Sequence, residues 1–89
     1  MRAVITVVGK DKPGIIASVS SALAEKSVNI LDISQTIMQG YFTMIMLVET
    51  GEMTVSFKQL RDLLNELGRQ VEVSITLQHE DVFQSMHRV

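Results

Sequence analysis

"VVGKDKPGIIASVSSALAEKSVNI", residues Val7 to Ile30, starts as an apolar strand, breaks at a charged turn flanked by glycines, and ends in a second apolar strand. Between the strands, Ile15, Ile16, Val19, Ala22 and Leu23 recur at helical spacing against a polar face of Ser18, Ser21, Glu25 and Lys26, the pattern of an amphipathic helix. Pro13 suits the first turn of that helix, where its missing N–H costs nothing and its φ is already helical. The helix is expected to end near Lys26-Ser27. The turn itself, Gly9-Lys10-Asp11-Lys12-Pro13-Gly14, either only reverses the chain or also holds something.

Upstream, Arg2 to Val8 reads as a strand that is apolar on both faces, which suits a central position in a sheet. Downstream, Asn29 to Gln39 reads as the second strand, and its broken alternation at Ile30-Leu31 suggests a bulge. Gln39-Gly40 is a two-residue hairpin signal, Gly40 supplying a positive φ. Tyr41 to Thr50 returns as another two-faced apolar strand. Ser56-Phe57-Lys58-Gln59 has the form of a capping box, followed by the apolar stripe Phe57, Leu60, Leu63, Leu64 and Leu67, with Gly68 as the expected stop. Gln70 to His79 alternates, Val71, Val73, Ile75 and Leu77 facing inward. In the tail, Glu80 to Val89, the apolar Val82, Phe83 and Met86 fall at the spacing of a short helix.

The order is βαββαβ. Crossovers of this length are right-handed, so the expected fold class is α+β, a ferredoxin-like four-stranded antiparallel sheet in the order 4-1-3-2, with two helices on one face and a short C-terminal helical tail. The strands that read as central, the first and third, are central in that order. One domain spans residues 1–89, with a core of 1–79 and a tail of 80–89. The second face of the sheet is left open. Val4, or Ala3 and Ile5, with one set from Tyr41 to Leu47, would be bare there unless the tail folds over them. A patch of that size marks an interface, so the expectation is a homodimer or higher homo-oligomer, formed through this face, an edge strand or both. Met38, Met44 and Met46 read as filler of the sheet and its interface.

Composition narrows the function. There is no cysteine, so no disulfide, thiolate chemistry or cysteine-bound metal. Net charge is −2 and only 4% of residues are aromatic, without the clustered cations and stacking rings that nucleic acid requires. The start, Met1-Arg2-Ala3-Val4-Ile5-Thr6, resembles neither a signal peptide nor a membrane span, which gives a cytoplasmic expectation with no membrane partner. His79, Met86 and His87 make a poor metal set. No nucleophile stands near a base, and the carboxylates are scattered, so the chain does not read as an enzyme. No cofactor is expected.

Ferredoxin-like folds host many activities. Soft-metal carriers need C-x-x-C in the first loop, and this chain has no cysteine; RNA-recognition modules need aromatics on the first and third strands, and only Tyr41 and Phe42 stand in the third and none in the first; acylphosphatase-like catalysis needs an arginine in the first loop, which offers Lys10 and Lys12 instead. It does carry Val7-Val8-Gly9-Lys10-Asp11-Lys12-Pro13-Gly14-Ile15-Ile16 and then Val28-Asn29-Ile30. This resembles the ACT domain, a small regulatory module of amino-acid metabolism, whose hallmark is a D-x-P-G-(hydrophobic) turn, a helix, and an N-I pair opening the second strand. Ser34-Gln35, the Gln39-Gly40 hairpin and Tyr41-Phe42 extend the likeness, which runs from Met1 to about Leu77. It is most similar to stand-alone ACT proteins of the glycine-cleavage-repressor type.

The resemblance implies an amino acid or similar ligand bound between two ACT units, at Gly9, Lys10, Asp11, Pro13, Gly14, Ile15, Ile16, Asn29 and Ile30, with the Asn29 position reaching in from the neighbouring subunit. Free N–H groups at the helix start could receive a carboxylate, and Gly14 lets a ligand approach the backbone. Each residue also has a purely structural reading: Asp11 as a cap rather than an ammonium acceptor, Asn29 as a partner for backbone groups, Pro13 and Gly14 as turn formers, Lys10 and Lys12 as solvated. Several serine-binding relatives carry Asn in place of Asp11 and a larger polar residue in place of Gly9. Asp11 would repel a carboxylate, so the ligand stays open. The other function class is a protein-interaction or dimerisation module with no small-molecule ligand, acting on a metabolic enzyme or regulator.

Overall fold

The computed structural model of the chain describes residues 1–86. It contains β1 (Arg2–Lys10), α1 (Ile15–Glu25), β2 (Asn29–Met38), β3 (Tyr41–Glu49), α2 (Phe57–Val71), β4 (Val73–His79) and α3 (Glu80–Met86). The sheet order is β2-β3-β1-β4, every neighbouring pair antiparallel. This is the expected 4-1-3-2 arrangement read from the other edge, with β1 and β3 in the centre.

Alternation along β1 and β3 decides which side chains reach the helices. Ala3, Ile5 and Val7 of β1 and Phe42, Met44, Met46 and Val48 of β3 are buried beneath Ile15, Val19 and Leu23 of α1 and Leu60 and Leu64 of α2, with Ile75 and Leu77 of β4 completing the core. Burial of each such Leu or Ile side chain contributes about 1.5–3 kcal/mol. Met44 and Met46 are core residues, whereas Met38 is exposed. The hairpin forms as read: Gln39 and Gly40 both have positive φ, 53° and 83°, the mirror-image turn that matches strand twist. The bulge lies between Ile30 and Asp32. Ser56 and Gln59 form a complete capping box, the Ser56 hydroxyl accepting from Gln59 N–H at 3.1 Å and the Gln59 side chain accepting from Ser56 N–H at 2.9 Å.

Four expectations are corrected. Strand β1 continues to Lys10, because it pairs with β3 through Lys10 and Tyr41. Pro13 precedes α1 rather than lying in its first turn, since Gly14 holds a left-handed conformation (φ 88°) immediately before Ile15. Gly68 does not stop α2. The helix runs on to Val71 and is closed by Glu72 at φ 60°, whose N–H donates to Gly68 O. Val71 therefore belongs to the helix, and β4 begins only at Val73. The reason for glycine at 68 is spacing: a Cβ there would stand 2.7 Å from Val73 O, so glycine lets α2 press against β4. Lastly, Val4 is not bare, because α3 packs on β1 and β4 across the second face of the sheet and leaves Val4 only 4% exposed. His87, Arg88 and Val89 lie outside the described residues.

The helix layer stops short of β2. Ile33, Gln35 and Ile37 stand opposite the buried Met46, Met44 and Phe42 on the helix side of the sheet, yet all three are exposed. Gly68→Ala should push α2 off β4 at a cost of about 1–3 kcal/mol, read as a fall in thermal midpoint of roughly 4–8 °C per kcal/mol; an unchanged melting curve would remove this explanation of the residue.

Candidate functional site

Three connections meet at one end of the sheet: the β1–α1 turn, the β2–β3 hairpin and the α2–β4 junction. Asp11 N–H donates to Gly40 O at 2.8 Å, tying the turn to the hairpin. Lys12 Nζ donates to Val71 O at 3.1 Å and to Glu72 Oε1 at 2.8 Å, tying the same turn to the end of α2. Lys12 is thus not a solvated side chain. It satisfies a terminal helix carbonyl, where a cation is favoured, and it holds the Glu72 carboxyl below its ordinary range.

The residues of the turn divide by role. Gly9 is shaped by packing: a Cβ would lie 2.7 Å from Val73 Cγ1, so glycine allows β1 and β4 to pair there. Lys10 and Pro13 are exposed. Asp11 is exposed and does not cap the helix, as α1 has no side-chain cap. Gly14 is the N-cap, and no described atom comes within 4 Å of where its Cβ would be. Ser18 N–H donates to Gly14 O at 2.9 Å, which leaves the N–H groups of Ile15, Ile16 and Ala17 as the donors of the first turn without a partner among the described residues. No acidic residue stands in that turn to neutralise its partial positive charge. Ile15 anchors the helix in the core, and Ile16 is 37% exposed beside these donors. The result is an open, positively polarised niche of backbone N–H groups suited to a carboxylate.

Asn29 and Ile30 are not part of that niche within one chain. Asn29 pairs with Glu49, which pairs with Arg2, whereas the turn follows Lys10 and Tyr41. Eight residues of strand separate the two levels, about 26 Å at 3.3 Å per residue. At its own end Asn29 lines a cleft of about 560 Å³ with Ser27, Val28, Glu49, Gly51 and Glu52, and Ile30 is half-buried against the core. Sequence reasoning missed this cleft and the role of Lys12. Gly51 is the one local signal for a chain turn beside the cleft, but nothing local pairs Lys12 with a residue sixty positions away. Among the described residues no group of three or more His, Cys, Asp or Glu is placed to hold a metal, and no helix is long and apolar enough to cross a membrane.

The architecture defines a small ferredoxin-like α+β domain with an open strand–helix turn. The chain belongs to the ACT domain family, whose model matches residues 2–76. It is 60% identical over 89 residues to a UPF0237 protein of Clostridium acetobutylicum, with 100% of each chain covered. Among solved structures it is similar to an ACT domain protein from Streptococcus pneumoniae, 46% identical at a TM-score of 0.82 with 93% of each chain covered. It is also similar to a protein provisionally assigned as a glycine cleavage system transcriptional repressor, 27% identical at a TM-score of 0.74, covering 86% of this chain and 44% of that one. ACT domains are regulatory ligand-binding modules of amino-acid metabolism.

Gly14→Ala meets no steric obstacle but must hold φ at 88°; the expected loss is about 1–2 kcal/mol, measured by chemical denaturation. The Lys12–Glu72 pair supplies stability above the ordinary Glu range and loses it as pH falls through the lowered pKa of Glu72. Wild type and Lys12→Met should therefore differ in thermal midpoint near pH 7, and the carboxylate part of that difference should vanish toward pH 3.

Proposed function

We propose that this protein is a regulatory module that binds an amino acid at the interface of two copies, with the β1–α1 turn of one facing Asn29 of the other. The observation that carries the reading is the uncapped start of α1 behind Gly14, a receiver for carboxylate in search of a partner for the rest of the ligand. Asp11 and Asn29 supply acceptors for the α-ammonium, and Asn29 comes from the second copy because its own chain keeps it at the far end of the sheet.

The edges of the sheet favour β2 as the shared surface. β4 is short, and its Ile75 and Leu77 are covered. β2 is ten residues long, contains no proline, and exposes Ile33 and Ile37 on its helix side. Such an edge is a template for another strand. The flank of α1 above it carries Ile16, nine residues and so half a helical circuit from Glu25, which lies against α2. Antiparallel pairing of two β2 strands would cover these side chains and set each turn beside the other copy's Asn29. It would also bring exposed Lys10 toward the cleft that contains Glu49 and Glu52.

A second reading, an interaction module without a small ligand, is favoured by Gly9 and Lys12, both occupied in packing and tethering. Isothermal titration of the protein with each of the twenty amino acids separates the two. The expected result is saturable binding of at least one, weakened tenfold or more by Asn29→Ala with the melting temperature little changed. Silence with all twenty would overturn the ligand reading and leave the interaction module.

A further inference from the structure

The cleft beside Asn29 has two walls that are tied together. Ser27, Val28 and Asn29, from the α1–β2 connection, form one; Glu49, Gly51 and Glu52, from the end of β3 and the turn after it, form the other. Strand pairing joins the walls at Asn29 and Glu49, and Thr54 N–H, donating to Lys26 O at 2.9 Å, joins the same two connections again. The cleft is therefore preformed, and its volume of about 560 Å³ falls within the ~300–1,000 Å³ of small-molecule sites. An ammonium group fills no more than a water molecule's share of that, ~30 Å³, so the space suits a whole side chain. The two carboxylates of the cleft differ. Glu49 is engaged: its Oε2 accepts from the Met1 ammonium at 2.5 Å and from Gly51 N–H at 3.0 Å, which hold the carboxyl below its ordinary range. Glu52 is exposed and has no hydrogen-bond or ion-pair partner among the described residues. Lys26 stands just before Ser27 but is not among the residues that line the cleft, and no other lysine or arginine is.

We infer that the amino acid taken by this protein has a cationic side chain, and that Glu52 is the residue that selects it. The inference rests on the ligand-binding reading, in which the turn of one copy faces the Asn29 cleft of the other. There the niche before Gly14 takes the α-carboxylate, and Asp11 with Asn29 takes the α-ammonium, so the side chain is what enters the cleft. The charges of the joint site do not balance without it. Asp11, Glu49 and Glu52 bring three negative charges, whereas Lys10 and the Met1 ammonium bring two positive ones. Lys12 and Glu72 cancel each other. A zwitterion with a neutral side chain leaves one carboxylate unpaired where two copies exclude water, which is costly. A ligand with one further positive charge leaves none. Ser27 and Asn29 add a hydroxyl and an amide oxygen that accept from an ammonium or guanidinium. Selection then follows from the pairing itself, because a site built around a polar partner rejects the isostere that lacks it.

Isothermal titration with lysine, ornithine and arginine, each beside a neutral counterpart (norleucine, norvaline and citrulline), tests it. At least one basic amino acid is expected to bind about tenfold or more tighter than its counterpart, with a preference that shrinks as salt is raised. Glu52→Gln should abolish that preference and leave the melting temperature as in wild type, since the exposed Glu52 side chain holds no other described group. Saturable binding of neutral amino acids alone, or a preference that Glu52→Gln leaves intact, would overturn the inference while the ligand-binding reading stands. Silence with basic and neutral amino acids alike would overturn both.

Discussion

The register that sets Arg2 opposite Glu49 and Lys10 opposite Tyr41 constrains nearly everything else in this molecule. It puts Ala3, Ile5 and Val7 beside Val48, Met46 and Met44 on the helix side, and a slip of one residue would turn that whole set outward. It also fixes the two ends of the sheet. One end collects the β1–α1 turn, the hairpin and the α2–β4 junction; the other collects Asn29, Glu49 and the start of α3. Because strands do not shorten, the two halves of the candidate site stand a full strand length apart in one chain. On the proposed ligand-binding reading, the need for a second copy is thus a consequence of strand pairing rather than of any single side chain.

The niche itself rests on what α1 lacks. A Ser or Asp at position 14 would cap the helix and consume one of its free donors. Gly14 leaves all of them free and keeps the space in front of them open. Asp11, which would oppose a carboxylate at close range, is held back by its backbone: its N–H is committed to Gly40 O, and its exposed side chain makes no cap. The turn can therefore keep an acid near a carboxylate-receiving site, provided that acid addresses the other end of a zwitterion.

What could be read from the chain follows from the range of the forces involved. The hairpin, the capping box and the bulge are local, set by Gln39-Gly40, by Ser56 and Gln59, and by Ile30-Leu31, and each was legible in a few residues. The central placement of β1 and β3 was legible too, because burial on both faces leaves an unbroken apolar run. The misreadings have a common cause. Gly68 looks like a helix stop by type, yet its role is set by Val73 O across the α2–β4 contact. Gly9 reads as part of a ligand loop, and its lack of a Cβ also answers to the Val73 side chain, a packing role that was not legible. Lys12 looks solvated, yet it serves a helix end distant in sequence. Each depends on a packing distance that no local pattern encodes.

Those same distant tethers give the turn a mechanical connection to the rest of the domain. A ligand acts only through its different affinity for two states, and a rigid, isolated loop would have no second state to select. Here the turn is bonded to the hairpin through Asp11 and to the end of α2 through Lys12. The hairpin terminates the exposed edge strand β2, and α2 leads through Glu72 into β4 and then directly into α3. The turn is therefore tied by direct hydrogen bonds to the hairpin that ends β2, the edge by which two copies of this chain are proposed to meet. On the ligand-binding reading, a carboxylate seated before Gly14 alters the fit of that edge without any large motion in the core, since Met44, Met46, Leu60 and Leu64 are packed at 0–1% exposure and close-packed interiors yield little. The element tied to the turn outside the core is the β2–β3 hairpin, through Asp11 N–H and Gly40 O.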